Sequence, residues 1–226
     1  MKELEISWHT WMAYKHDLRA ARFIIIYDQS QIDPRSHKMF CGYNVKFYPW
    51  DMPNVSQREK MLTALVHVPA REVTTSWYLK LDTDTVATAP GKWIDDGWFK
   101  PDIKGRPPVY ISHRWHYSKP SNVLKILDDW GDTLEPFRSK PRLNIPFDPK
   151  SGRVYSNRII SWCFFGNTEW TRNMSRLAGY RLPCPSQDTF LYYCAARLGE
   201  YTVATNMKRY NWDHVRYRKL IEIGKN

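Results

Sequence analysis

Cysteine is scarce in this chain: four residues in 226, Cys41, Cys163, Cys184 and Cys194, without Cys-x-x-Cys spacing. That argues against a disulfide framework, and the thiols read as reduced. Long apolar runs are missing too. Phe23-Ile24-Ile25-Ile26, among the longest, is far short of the roughly 20 residues a membrane span needs. No basic-then-apolar leader opens the chain, and no internal repeat or low-complexity tract interrupts it. These absences point to a soluble cytoplasmic protein without a membrane span, in the host cytoplasm if the chain is viral.

What is present is ordinary globular composition, 42% hydrophobic and 25% charged, enough for one large domain or two halves sharing a core. The net charge of +11 is unevenly spread. Residues 1–137 carry 18 basic and 17 acidic side chains, whereas residues 138–226 carry 16 and 6. Such a field either gathers anionic partners or is a solvated face. Aromatics reach 15%, with 11 Trp, so some can serve as stacking surfaces for sugars or bases as well as core.

Apolar periodicity predicts a helix within residues 4–22, through Leu4, Trp8, Trp11, Met12, Leu18 and Ala21. Arg22 to Asp28 and Asn44 to Trp50 read as strands. Ser56-Gln57-Arg58-Glu59 matches a capping box, opening a helix with Met61, Leu62, Leu65 and Val66 on one face that should end near Pro69. Trp77 to Leu81 and Val109 to Ser112 are further strands, and Ser121 opens a helix through Trp130. Residues 136–157, rich in Pro, Arg, Lys and Ser, read as an irregular connection. Ile159 to Phe165 reads as a strand, with helices following over 168–178 and 186–198, each ended by glycine. Strand and helix alternate, which argues for an α/β layer structure with a mostly parallel sheet.

The sharpest motif is Asp82-Thr83-Asp84 directly after the strand Trp77 to Leu81. Two carboxylates at the carboxyl edge of an α/β sheet stand where such sheets take ligands, and together they can share a hard divalent cation. Elsewhere in a chain, the same spacing is usually just a solvated turn.

With that motif the sequence resembles the nucleotide-sugar-dependent glycosyltransferases of the GT-A fold, including phage-type members that modify DNA. The resemblance covers Arg22 to about His214 and is specific over Ser56 to Thr88. It implies one GT-A-like domain, residues 1–131 forming the nucleotide-sugar and metal half and 132–226 a basic acceptor half. It implies Mn²⁺ or Mg²⁺ at Asp82 and Asp84, a UDP-sugar as the first choice of donor, and Asp28 reading the nucleoside. Arg58 and Lys60 resemble the family's basic helix start and would help neutralise the leaving diphosphate. Asp188, in Pro185-Ser186-Gln187-Asp188-Thr189, resembles the acid that deprotonates the acceptor hydroxyl in inverting members. An Asp in a first helical turn is also favoured by the helix dipole alone. His214 resembles a late histidine that joins the metal shell, a place Asp213 can also take. Ile159 to Asn167 resembles the strand beneath the acceptor site, where a small residue such as Gly166 either permits close approach of a ligand or forms a simple strand-end turn. One departure stands out: the chain opens into a helix where the family has a strand, unless Leu4 to Trp8 is a short one.

The leading expectation is therefore a metal-dependent glycosyltransferase with an anionic acceptor, a modified DNA base or an acidic glycan. Two other classes compete. One is a nucleic-acid-binding module whose Asp-x-Asp is incidental. The other is a metal-dependent phosphotransferase or nuclease, with Asp95 and Asp96 as the nearby extra carboxylates.

Overall fold

The computed structural model describes residues 1–29, 33–49, 56–113, 116–144, 147–148, 153–157, 162–178 and 187–214. Helix α1 (Lys2–Tyr14) is followed by a 3-10 turn (His16–Ala20) and strands β1 (Arg22–Tyr27) and β2 (Asn44–Pro49). Helix α2 (Gln57–Leu62), a π-helical stretch (Thr63–His67) and α3 (Val68–Glu72) precede β3 (Trp77–Leu81) and β4 (Thr85–Ala87). Then come β5 (Tyr110–His113), β6 (His116–Pro120), α4 (Ser121–Gly131), β7 (Phe147–Asp148) and β8 (Arg153–Asn157). The remaining elements are β9 (Cys163–Asn167), α5 (Thr168–Ala178), α6 (Gln187–Leu198), β10 (Thr202–Thr205) and β11 (Trp212–His214).

The fold is mixed α/β, as expected. Strand direction differs from expectation. β1 pairs with β2 and β5 with β10 in parallel, but β5–β9, β4–β11, β6–β8 and β7–β8 are antiparallel. Among the described pairings parallel ladders are thus the minority, and "mostly parallel" is corrected to mixed. The reason is that apolar runs mark where strands lie, while their direction depends on long-range pairing that no local pattern encodes.

The described residues group into two compact units, one from Met1–Val55, Leu81–Ile94 and Met207–Asn226, the other from Ser56–Lys80 and Asp95–Asn206. The first unit draws on segments from the early, middle and late parts of the chain. In that unit α1 is helical from Lys2, so Leu4 to Trp8 is not a strand, and the helix ends at Tyr14. Its core is aromatic: Trp11, Trp93 and Trp212 pack within 5.2–5.8 Å of one another, and Trp8 packs on Phe23, Phe40 and Tyr43.

In the second unit the sheet order is β10-β5-β9-β3. Leu62, Leu65 and Val66 pack in one core with Tyr110, Phe164, Leu127, Met174 and Phe190. The capping box forms as read: Ser56 Oγ accepts from the Glu59 N–H, and the Glu59 carboxylate accepts from the Ser56 N–H at 2.8 Å. The helical run does not end at Pro69 but continues to Glu72. Proline has no N–H for the carbonyl four residues back, and that carbonyl, Leu65, receives the Tyr78 hydroxyl at 3.5 Å. Arg172 on α5 caps the far end, donating to the Ala70 and Val73 carbonyls. Helix α6 closes with Gly199 at φ +69°, Gly199 N–H donating to Ala196 and Glu200 N–H to Ala195, a Schellman arrangement.

The stretch 136–157 is not wholly irregular, because β7 and β8 lie in it and β8 pairs with β6. A ladder satisfies backbone groups whatever the side-chain composition. β9 begins at Cys163 and runs to Asn167, whereas residues 159–161, Gly179 and Cys184 lie outside the described residues. Cys41 is exposed, Cys163 and Cys194 are buried, and none of the three is in a disulfide. Among the described residues no helix is long and apolar enough to cross a membrane.

Candidate functional site

Strand β3 delivers the chain to Leu81, and Asp82-Thr83-Asp84 then form a turn closed by the Thr85 N–H donating to the Asp82 carbonyl at 3.1 Å. β4 follows at once and pairs antiparallel with β11, Thr85 opposite His214 and Ala87 opposite Trp212. That register sets His214 beside Asp84, with Nε2 at 2.9 Å from Oδ2. Both side chains keep solvent access, 39% and 30% respectively.

Helix α1 holds the turn in place. Ser7 Oγ and Trp11 Nε1, one helical turn apart, both donate to the Thr85 carbonyl, at 2.5 and 2.8 Å. Thr10 Oγ1 accepts from the Ala87 N–H at 3.2 Å. Beyond β4, the buried Lys15 ammonium donates to the carbonyls of Ala89 at 2.8 Å and Gly91 at 3.2 Å. Trp212 donates to the Trp93 carbonyl at 2.8 Å, which anchors β11 at the residue next but one to His214. These supporting groups escaped the sequence reading. Their only local signal is that Ser7 and Trp11 share a face of α1, and nothing in that spacing says what the face meets.

Burial raises the Asp84 carboxyl above the ordinary carboxylate range; His214 acts against that shift, and the Asp82 charge adds to it. A positive charge at this turn therefore relieves two carboxylates at once. Asp213 is committed elsewhere, accepting from Lys208 at 2.9 Å and from the His214 N–H at 2.8 Å. Of the two late candidates, His214 is the one that meets Asp84.

The donor chemistry of Asp82, Asp84 and His214 suits Mn²⁺ or Mg²⁺. Among the described residues, however, no group of three or more His, Cys, Asp or Glu side chains converges as a metal cage. What stands in the structure is a carboxylate–imidazole contact with Asp82 alongside it.

Asp28 lies directly after β1, half-buried at the carboxyl end of the β1–β2 pair, in the same unit as Asp82, Asp84 and His214. Arg58, Lys60 and Asp188 belong to the other unit. Arg58 sits in the first turn of α2, and Lys60 is half-buried two residues on. Asp188, 2% exposed, occupies the first turn of α6, where its Oδ1 accepts from the Thr189 N–H at 2.9 Å. Asp95 caps a short 3-10 turn through the Gly97 N–H, which gives that carboxylate a structural task.

The basic excess after residue 137 is partly spent inside the fold. Arg138 pairs with Glu135, Arg142 with Asp129 and Asp132, and the buried Arg197 with Asp128 and Asp132. Lys150 and Arg158 lie outside the described residues. Gly166, read as a point of close approach for a ligand, is approached by the ring of Tyr78. No family model, no curated protein and no solved structure matches the chain.

Proposed function

We propose that this protein is a metal-dependent glycosyltransferase, moving a sugar from a nucleotide-sugar, UDP-linked in the first instance, to a hydroxyl on an anionic acceptor. The observation that supports the reading is the contact of His214 with Asp84. The resemblance pairs a late histidine with the Asp-x-Asp turn, and the register of β4 and β11 brings that histidine to that turn. A solvated Asp-x-Asp turn would need no such partner, nor the four groups of α1 and Lys15 that steady the flanking backbone.

In this reading Asp82 and Asp84 hold Mn²⁺ or Mg²⁺, and His214 orients Asp84 or joins it. The bound cation would offset the charge that builds on the departing nucleoside diphosphate. Asp28 contacts the nucleoside. For Arg58, Lys60 and Asp188 the proposal rests on the resemblance alone, which gives the first two a neutralising role toward the diphosphate and makes Asp188 the base that takes the acceptor hydroxyl's proton as the new C–O bond forms. The acceptor is a modified base in DNA or an acidic glycan.

The test is release of free nucleotide from UDP-glucose or GDP-mannose, with hydroxymethylated duplex DNA or an acidic oligosaccharide present. Release should require Mn²⁺ or Mg²⁺, stop in EDTA and fall by roughly 10²–10³-fold in Asp84→Asn. Release that persists in EDTA, or no release from any donor with metal present, overturns the proposal.

A further inference from the structure

Ile103 is the most exposed large apolar side chain among the described residues, at 102% of its reference exposure. It does not sit on a loose loop. Asp102 organises the turn: its carboxylate accepts from the Lys104 and Arg106 N–H groups and from Arg106 Nε, each at 2.9 Å. The Asp102 N–H donates to the Arg106 carbonyl and the Gly105 N–H to the Asp102 carbonyl, with Gly105 at φ +74°. Arg106 Nη1 then ties the turn to the Gly199 carbonyl at the end of α6, at 2.7 Å. A turn bonded in this way holds an isoleucine in water in a fixed place, although an ordinary turn would carry a polar residue there.

The flanks are basic. Lys100 and Lys104 are exposed, and among the described residues neither ammonium group makes a hydrogen bond or ion pair. The segments Ser56–Lys80 and Asp95–Asn206 that make up this unit hold 20 basic and 13 acidic residues.

We infer that the turn Asp102–Arg106 is a duplex-DNA contact, in which Lys100 and Lys104 meet phosphates and Ile103 enters a groove as an apolar wedge against the base step. The inference rests on the anionic-acceptor part of the reading above but not on sugar transfer itself. Phosphate contacts supply the affinity, and a wedge only has to unstack one step, which suits a single rigid side chain. A lipid surface fits less well, because one isoleucine buries too little apolar area to anchor a protein and stable membrane anchoring takes stronger or paired signals. Unstacking a base step also fits an enzyme that must expose a base to modify it.

The experiment uses the full chain in EDTA without nucleotide-sugar, binding duplex DNA with 2-aminopurine at one step, across a salt series. Lys100→Glu with Lys104→Glu should weaken binding more than tenfold and lower the slope of log affinity against log salt by about 1.8. Ile103→Ser should keep most of that slope, weaken binding severalfold, and abolish the 2-aminopurine fluorescence rise seen with the unaltered protein. Ile103 touches nothing, so both variants should melt like the parent. No binding by the parent at low salt, or unchanged binding by both variants, overturns the inference. So does Ile103→Ser losing binding to phosphatidylserine vesicles while DNA binding stays intact. Loop variants that bind DNA normally in a protein that transfers sugar would sink only the wedge. Variants that lose DNA binding in a protein that consumes no nucleotide-sugar would sink only the glycosyltransferase.

Discussion

Tyr78 and Gly166 meet so closely that a Cβ on Gly166 would stand 2.4 Å from the ring Cζ and 2.5 Å from the hydroxyl. The ring has little room to yield, because its hydroxyl is held by Thr171 at 3.1 Å and by the Leu65 carbonyl. Gly166→Ala should therefore destabilise this unit by about 1–3 kcal/mol, the usual cost of overpacking. Denaturant midpoints measure it. Adding Tyr78→Phe, which removes the nearest polar atom, should recover part of the loss, and no loss in the single variant would refute the close packing.

Asp84→Asn keeps the shape of the side chain and removes its charge. On the proposed function, turnover should fall by roughly 10²–10³-fold, the scale of losing one group that stabilises developing charge. The melting temperature should hardly move, since Asp84 and the His214 side chain it contacts are both partly solvated. His214→Ala should weaken Mn²⁺ binding, read by the EPR signal of the free ion, in the same direction. Unchanged Mn²⁺ affinity in both variants would remove the metal from this turn.

Asp188 is separable from its helix-end role by comparing two substitutions. Asn retains an oxygen that can accept the Thr189 N–H, and Ala does not. If the carboxylate takes the acceptor proton, both variants should lose about 10²–10⁴-fold in kcat with the donor KM little changed. If it only steadies the start of α6, Asn should act like the parent and Ala should lower the melting temperature alone.

Lys15 offers a pH test that does not involve the candidate site's carboxylates. Burial holds its ammonium below the ordinary value of 10.5, with Asp17 acting the other way. Between that lowered pKa and 10.5 the unfolded chain binds more protons than the folded one. The Lys15 contribution to stability therefore rises with pH in this window. Unfolding in urea at about pH 9 and about pH 10.5 should show that rise relative to Lys15→Met, which lacks the titrating group. At neutral pH the Met variant should be weaker by about 1–3 kcal/mol, since the Ala89 and Gly91 carbonyls lose their donor. An identical pH dependence in the two proteins would contradict the buried ammonium.

The elements with strong local chemistry were legible in the sequence. β1 and β3 fall where their apolar runs lie, α5 occupies the predicted residues, and the Ser56–Glu59 box caps its helix. Each depends on residues within a few positions of one another: side-chain period, a cap three residues from its partner, a glycine that can take positive φ. The helix past Pro69 was not legible, because the groups that meet its carbonyls, the Tyr78 hydroxyl and Arg172, are distant in sequence. β7, β8, β10 and β11 were missed for the same reason, being two to five residues long and defined by their ladders.

The candidate site divides along the same line. Asp82 and Asp84 announce themselves by following an apolar strand, and that much the sequence determined alone. That the Thr85 carbonyl takes both Ser7 and Trp11, that Asp213 is occupied by Lys208, and that His214 faces Asp84 were decided only by folding. Composition likewise revealed a basic C-terminal part, but the fold pairs Arg138, Arg142 and Arg197 with acids and leaves Lys100 and Lys104 exposed around Ile103. Charge and periodicity are properties of neighbours along the chain; which side chains neutralise one another depends on pairings across it, and those exist only once the strands have found their register.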